Sequence, residues 1–410
     1  MKKNVVILGA GTAGTMMANH LIKNTEETVH VTIIDEADAH YYQPGFLFIP
    51  FGIYKGHEVV KPIDKYIPKK ALFLKEKVID LKPEQNLVVT GDGREVPYDV
   101  LVVATGTQIA PEEIEGMAGP YWHKNIFDFY TYQGAVALHK ALENFEGGKL
   151  VINIAEMPIK CPVAPLEFAF LADDYFEKKG IRDKVDIIYT TPLSGAFTKP
   201  KATEALNYLL EEKNIKIIPD FAIAEVDGEN KKIIDYGGEE IDYDLLVAVP
   251  TNMGAEVFET TGLGDELNYV PTNKKTLQTE IAPNIFAIGD ATNIPASKAG
   301  SVAHFEGEIL LTNVLNYLND KPLVDSFDGH ANCFIETGKG KALLIDFNYH
   351  QEPVTGTFPL PGIGPLRLLE ESRLNHMGKM AFKWIYWNLL IPGRHIPMVT
   401  PEMKMEGKNV

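Results

Sequence analysis

The chain has 410 residues, 45% of them hydrophobic, and a net charge of −17. That length allows two or three domains with their own cores. The acidic balance argues against general binding to nucleic-acid phosphates, and against anionic lipid unless a local basic patch reverses it. Only two cysteines occur, Cys161 and Cys333. A secreted disulfide scaffold carries many more in a shorter chain, and free cysteines are often inert core residues. Lys2 and Lys3 lead straight into a short apolar strand pattern, so no secretory leader is expected. No stretch reaches the roughly 20 apolar residues of a spanning helix.

In chain order, residues 4–8 predict a buried parallel strand, 12–24 a helix and Val29–Asp35 a second strand, a βαβ unit at the very start. Between strand and helix lies Gly9-Ala-Gly11-Thr-Ala-Gly14. Glycines at this spacing allow a tight turn and let the backbone approach a pyrophosphate, which then faces the helix N-terminus. Asp35 follows where a carboxylate binds a ribose hydroxyl. The chain then repeats itself. The stretch from Val96 to Gly106 is echoed from Ile241 to Thr251, a displacement of 145 residues. At a similar displacement from the opening strand comes Leu150–Ala155, then a helical stretch 166–179 and a strand 185–189. Ala282 to Asp290 predicts a strand returning to the first unit. The expected fold is α/β, with two tandem Rossmann-like dinucleotide-binding domains and a C-terminal amphipathic, membrane-anchoring region. The expected boundaries are 1–118 with 272–325, then 119–271, then 326–410.

The second copy has lost its glycines. Its turn runs Ala155-Glu-Met-Pro-Ile-Lys-Cys161-Pro-Val-Ala-Pro165, and its next strand ends in Tyr189-Thr190, with no acid for a ribose. Glu156 would crowd and repel a pyrophosphate, so no NAD(P)H binding is expected there. Cys161 fills the vacated turn, just ahead of a helix whose dipole is expected to stabilise its thiolate.

Ala104-Thr105-Gly106 closing the first copy, with Ile288-Gly289-Asp290 much later, resembles the two-dinucleotide-binding-domain flavoproteins over essentially the whole chain. The resemblance implies FAD in the first domain, with Gly9, Gly11, Gly14, Asp35, Pro44, Thr105, Gly106, Gly289 and Asp290 as its expected contacts. The Cys161-Pro-x-x-Pro165 element and the segment Asp328–Thr337 around Cys333 resemble the sulfide:quinone oxidoreductases, and the flavoprotein subunit of the flavocytochrome c sulfide dehydrogenases. Lys298 and Gly300–His304 resemble that family's flavin-ring segment. The resemblance implies that Cys161 and Cys333 meet over the flavin as a disulfide, or one bridged by extra sulfur. Hydrosulfide would open it, leaving a persulfide on one cysteine and a thiolate on the other, from which two electrons reach FAD. Glu167 and Glu336 are expected proton carriers; His123, His139 and His304 are less specific, and most of them are expected to be structural. Several members hold FAD through a third cysteine. None stands here, so FAD is expected to be non-covalent.

Residues 372–395 reverse the charge of the chain: Arg373, His376, Lys379, Lys383, Arg394 and His395, with no Asp or Glu. Leu374, Met377, Ala381, Ile385 and Leu389 recur at helical spacing, with Arg373, His376, Lys379 and Lys383 on another face. Trp384, Tyr386 and Trp387 suit a membrane interface. The uncharged run Trp384–Gly393 is too short to span, so an interfacial anchor is expected. This tail also resembles that of the sulfide:quinone oxidoreductases. Phe334 is expected to stack on a quinone and Lys379 to bond its carbonyl; Phe347 and Phe358 are looser expectations. The expected protein is a monotopic membrane enzyme using sulfide and a membrane quinone, compatible with a homo-oligomer. The competing readings are a sulfide dehydrogenase subunit serving a cytochrome, an NADH:quinone reductase and a non-catalytic redox sensor.

Overall fold

Val5, Val6, Ile7 and Leu8 are all buried, because the strand they form is covered on both faces, as in parallel sheets flanked by helices. In the computed structural model, which describes residues 2–25, 28–397 and 399–410, this strand β1 (Lys3–Leu8) leads into helix α1 (Thr12–Asn24) and strand β2 (Val29–Ile34). Strands β3 (Leu72–Leu74) and β4 (Val100–Val103) extend the sheet. The strand Ile285–Ala287 returns from far downstream to complete it, in the order Ile285–Ala287, β4, β1, β2, β3, with every neighbour parallel.

A second five-stranded parallel sheet repeats the plan. Strands β5 (Ile126–Phe127), β6 (Gly148–Ile154), β7 (Val185–Thr190), β8 (Lys216–Ile218) and β9 (Leu245–Val249) are ordered β5, β9, β6, β7, β8. Helix α2 (Ala164–Lys179) follows β6 as α1 follows β1. The repeat extends to register. Val5 lies opposite Val100, and Leu150 opposite Leu245, each pair displaced from the other by 145 residues. The right-handed crossover that parallel pairing requires places both helix N-termini at the carboxyl ends of their sheets, where such folds bind ligands.

The chain continues through helix α3 (Gly300–Leu318), the antiparallel pair β10 (Ala331–Gly338) and β11 (Lys341–Phe347), a hairpin of β12 (Thr355–Leu360) and β13 (Gly364–Leu368), and helix α4 (Arg373–Ile385). Ser372 caps α4 by accepting a hydrogen bond from the Asn375 N–H, a standard N-cap arrangement. A π-turn, Tyr386–Leu390, extends the helix. Among the described residues no helix is long and apolar enough to cross a membrane.

The C-terminal helix departs from the expected anchor in two respects. Tyr386 and Trp387 are buried rather than presented outward. The Tyr386 hydroxyl meets Thr12 Oγ1 at 2.8 Å and His40 Nε2 at 2.7 Å, and Trp387 stacks on Tyr66. Three of the four residues of the expected basic face are also engaged internally. His376 pairs with Glu336, Lys379 with Glu167, and Lys383 with Glu58. Positive charge that reads as lipid-directed in the sequence answers carboxylates on other elements, which a helical pattern alone does not reveal.

Candidate active site

A cavity of about 650 Å³ opens where the carboxyl ends of the first sheet meet α2, β10 and α4. One end is a glycine cradle. Gly9 has a φ of +92°, and a Cβ there would meet the Ala104 carbonyl oxygen at 2.5 Å; only glycine tolerates both demands. A Cβ on Gly14 would collide with the Gly9 carbonyl, so Gly14 lets α1 pack close to the turn without lining the cavity itself. A Cβ on Gly11 would meet nothing within 4 Å, so the backbone there is open to a ligand. The first turn of α1 has no side-chain cap, leaving N–H donors for an anion. Asp35 accepts from the Ala10 and Ala37 N–H groups at 2.6 and 2.8 Å and so stands fixed at the end of β2. Pro44, Thr105, Gly106, Gly289, Asp290, Lys298 and Gly300 line the same cavity. Thr105 Oγ1 is buried without a partner, an orphan that a bound group would satisfy. These residues fit a dinucleotide such as FAD.

Sequence reasoning missed Glu306. It is buried on α3 and accepts the Gly289 N–H at 2.6 Å. Burial pushes its carboxyl up to about 8, opposed by that N–H. The sequence does not single it out: Glu308 stands two residues on in the same helix, and no fixed spacing ties Glu306 to Gly289. Lys298 reaches the Asp290 and Thr292 carbonyl oxygens at 3.0 and 2.6 Å and lies 4.0 Å over the Tyr269 ring. It therefore braces the Asp290 turn.

Cys161 and Cys333 both line the cavity as free thiols. Cys161 is held in the left-handed region, φ +49°, a strained setting for a side chain. Three contacts over-determine it: its N–H donates to the Lys298 carbonyl at 2.6 Å, and its carbonyl accepts from Ala164 N–H and the Tyr130 hydroxyl at 2.9 and 3.3 Å. Cys333 sits on β10 opposite Ile345. The expected stabilised thiolate at Cys161 is corrected. Burial and the Glu167 carboxylate push the thiol up to about 12, outweighing Lys379 and the helix N–H of Ala164. Burial raises Cys333 as well, and the Cys161 sulfur adds to it.

Glu167, fully buried on the first turn of α2, accepts from the Lys379 ammonium and from the Glu336 N–H at 2.7 Å. Its Oε2 has no partner. Burial pushes its carboxyl up to about 7, against the pull of Lys379. Burial alone would lower Lys379, but Glu167, Cys161 and Glu336 together hold it above its usual value. Lys379 also donates to the Phe334 carbonyl at 3.0 Å. Glu336 does not line the cavity; its carboxyl lies against His376.

The other end of the cavity is apolar, lined by Phe334, Phe358, Leu366, Phe382 and Ile385. Phe347 is not there. It is buried elsewhere beneath the Lys199 ammonium, 5.5 Å from its ring, which corrects its expected quinone contact. His123 pairs with Asp128 and His139 with Glu143, while His304 lines the cavity with burial holding it down at about 4.

At the 145-residue displacement, Gly9, Gly11 and Gly14 correspond to Ile154, Glu156 and Ile159. Both isoleucines are buried, so side chains fill the space that glycines leave open in the first copy. Thr190 Oγ1 is engaged by Asn153 at 2.8 Å.

Fold and cavity together define a two-sheet dinucleotide-binding α/β oxidoreductase. The chain belongs to the pyridine nucleotide-disulphide oxidoreductase family, whose model matches residues 3–307. The chain is 29% identical over 396 residues to the mitochondrial sulfide:quinone oxidoreductase of Mus musculus, covering 95% of this chain and 86% of that protein. It is 25% identical over 343 residues to the sulfide-quinone reductase of Aquifex aeolicus, covering 78% of each. The X-ray structure of sulfide:quinone oxidoreductase from A. aeolicus superposes with a TM-score of 0.80, at 23% identity over 96% of this chain and 92% of that one.

Proposed function

We infer that this chain is an FAD-dependent sulfide:quinone oxidoreductase. The observation that carries the reading is that its only two cysteines, 172 positions apart in sequence, line one cavity with a dinucleotide cradle at one end and an apolar slot at the other. The names of the relatives supply the substrate pair; sulfide dehydrogenation with a cytochrome and NADH:quinone reduction find no such support.

Bound FAD supplies a two-electron relay between sulfide and quinone. The residues do the rest. An oxidised Cys161–Cys333 pair is opened by hydrosulfide, which leaves a persulfide on one sulfur and needs no thiolate at rest. A sulfur with so high a proton affinity is a poor leaving group. Glu167, poised near neutrality, donates the proton it needs, and Lys379 holds positive charge beside the pair. Phe334 and Phe358 form the quinone slot, with Lys379 at its polar end.

Anaerobic addition of sulfide bleaches the flavin absorbance, and a soluble quinone restores it. NADH in place of sulfide leaves it unchanged, because Glu156 and Ile159 stand where a second pyrophosphate site needs glycines. Rapid bleaching by NADH with none by sulfide overturns the reading.

FAD is held without a covalent bond, since both cysteines are used in the redox pair. Acid precipitation therefore leaves the yellow colour in the supernatant; colour that stays in the pellet contradicts this.

Association with a membrane surface is supported by α4. Leu374, Met377 and Trp384, the last two each 62% exposed, share one face of that helix, and Ala381, Phe382 and Ile385 line the quinone end. An outward apolar face beside an inward apolar slot suits a monotopic protein that takes quinone from lipid.

A further inference from the structure

The proposed reaction has a proton requirement. Hydrosulfide loses two electrons and one proton on becoming sulfane sulfur, while a quinone gains two electrons and two protons. The balance is HS⁻ + quinone + H⁺ → S⁰ + quinol, so one proton per turnover comes from solvent. The quinone end of the cavity is walled by Phe334, Phe382 and Ile385, none of which can carry a proton.

A cluster of ionisable groups lies between the surface and that end. His376 on α4 is 30% exposed, and its Nδ1 lies 2.9 Å from both oxygens of Glu336, whose side chain is 2% exposed. The Glu336 main-chain N–H donates to Glu167 at 2.7 Å, and the Glu336 carboxyl acts on Glu167 and Lys379 through space, so the three belong to one electrostatic cluster. Lys379, one turn along α4 from His376, lies on Glu167 and on the Phe334 carbonyl, is held charged by both glutamates, and lines the cavity. The other charged groups around the cluster are engaged elsewhere. Asp174 of α2 is paired with Lys178 at 2.6 Å, and Glu58 with Lys383 at 3.3 Å; the remaining titratable neighbours are Tyr54 beside Glu336, Tyr42 and Tyr130 beside Glu167, and Cys161 and Cys333 beside Glu167 and Lys379. A buried imidazole–carboxylate pair is a weak source of stability, because desolvation offsets its attraction. Two apolar side chains would dock α4 on β10 as well.

We propose that His376 and Glu336 form the proton entry from solvent to the quinone, with Lys379 as the last donor. This rests on the sulfide:quinone reading and adds to it a route for the second substrate's proton. His376 takes a proton from water, Glu336 passes it inward, and Lys379 replaces the one it gives to the quinol oxygen. His376 acts through other residues and touches no substrate.

The test isolates quinone reduction from sulfide chemistry. The flavin of the holoenzyme is reduced anaerobically with dithionite, mixed with a water-soluble quinone, and its reoxidation followed by stopped flow. His376→Ala slows reoxidation at least about tenfold, a modest part of what positioned proton transfer contributes, and added imidazole restores it. Glu336→Gln slows it similarly and imidazole does not restore it. His376→Ala reoxidising at the wild-type rate, or staying slow in saturating imidazole, overturns the relay. Wild-type reduced flavin that quinone does not oxidise overturns the functional reading and the relay together. Fast quinone oxidation in an enzyme that sulfide fails to reduce sinks only the sulfide half of that reading.

Discussion

Cys161→Ser and Cys333→Ser leave the protein yellow and folded but lower sulfide-dependent flavin reduction by at least about a thousandfold, in the range seen when a nucleophile is removed from a group that acts as a unit. Serine is close to isosteric with cysteine, so neither change opens a cavity. The contacts that fix the Cys161 turn are made by its backbone N–H and carbonyl, which serine keeps. Cys333 lies within the paired strand β10 and makes its ladder with Ile345 through the main chain. The cradle around Gly9, Gly11 and Asp35 touches neither side chain, so FAD affinity is unchanged. What is lost is sulfur–sulfur exchange, for which oxygen is no substitute. Because the two sulfurs act on one bond, the double variant is no slower than either single one. Either single variant turning over sulfide at near the native rate overturns the cysteine mechanism.

The sequence carried the architecture further than the site. The 145-residue echo of Val96–Gly106 in Ile241–Thr251 reappears as matching strand register, because parallel strands buried on both faces need the same run of apolar residues twice. The glycine cradle was legible for a similar reason: Gly9 and Gly14 each meet a steric demand, and Gly11 leaves the backbone open to a ligand, at a fixed spacing. The Glu167–Lys379 pair was not legible as a pair. Its members are 212 positions apart and meet only because α2, β10 and α4 converge. The same convergence explains the misread basic face. His376 and Lys379 obey the 3.6-residue period of a surface helix, and nothing in that period says that the surface opposite holds two buried glutamates. The Cys161 thiol was misjudged because the helix N-terminus is visible in sequence, whereas burial and the Glu167 carboxylate are not. Tyr386 and Trp387 suit an interface or a core equally well by residue type; the partners Thr12, His40 and Tyr66 decide it.

Ending the chain after Ser372 produces a protein that fails to hold FAD and melts far below the full-length enzyme. The segment removed is part of the core. Tyr386, Trp387, Leu390 and Ile391 are all buried, and each such side chain contributes about 1.5–3 kcal/mol, or roughly 6–12 kcal/mol together. That is comparable to the whole stability of an ordinary domain, about 5–15 kcal/mol. Removing Lys379 as well leaves the Glu167 carboxyl buried without its cation, a loss that costs about 3–5 kcal/mol in comparable buried pairs. Ile385, Tyr386, Leu390, Ile396 and Val399 also line the cavity, so the cofactor loses a wall along with the fold. A thermal melt and the flavin content of the purified protein check this. A truncated protein that keeps its flavin and melts within a few degrees of full length shows the tail to be an appendage. Loss of membrane binding on truncation is therefore uninformative by itself, and the membrane face is tested by exposed positions instead. Met377→Ser with Trp384→Ser removes two outward side chains that support no buried contact of this size. This double variant keeps its melting temperature and its sulfide-driven flavin bleaching, and sediments less with phospholipid vesicles. Unchanged sedimentation shows that α4 is not the surface that meets the lipid.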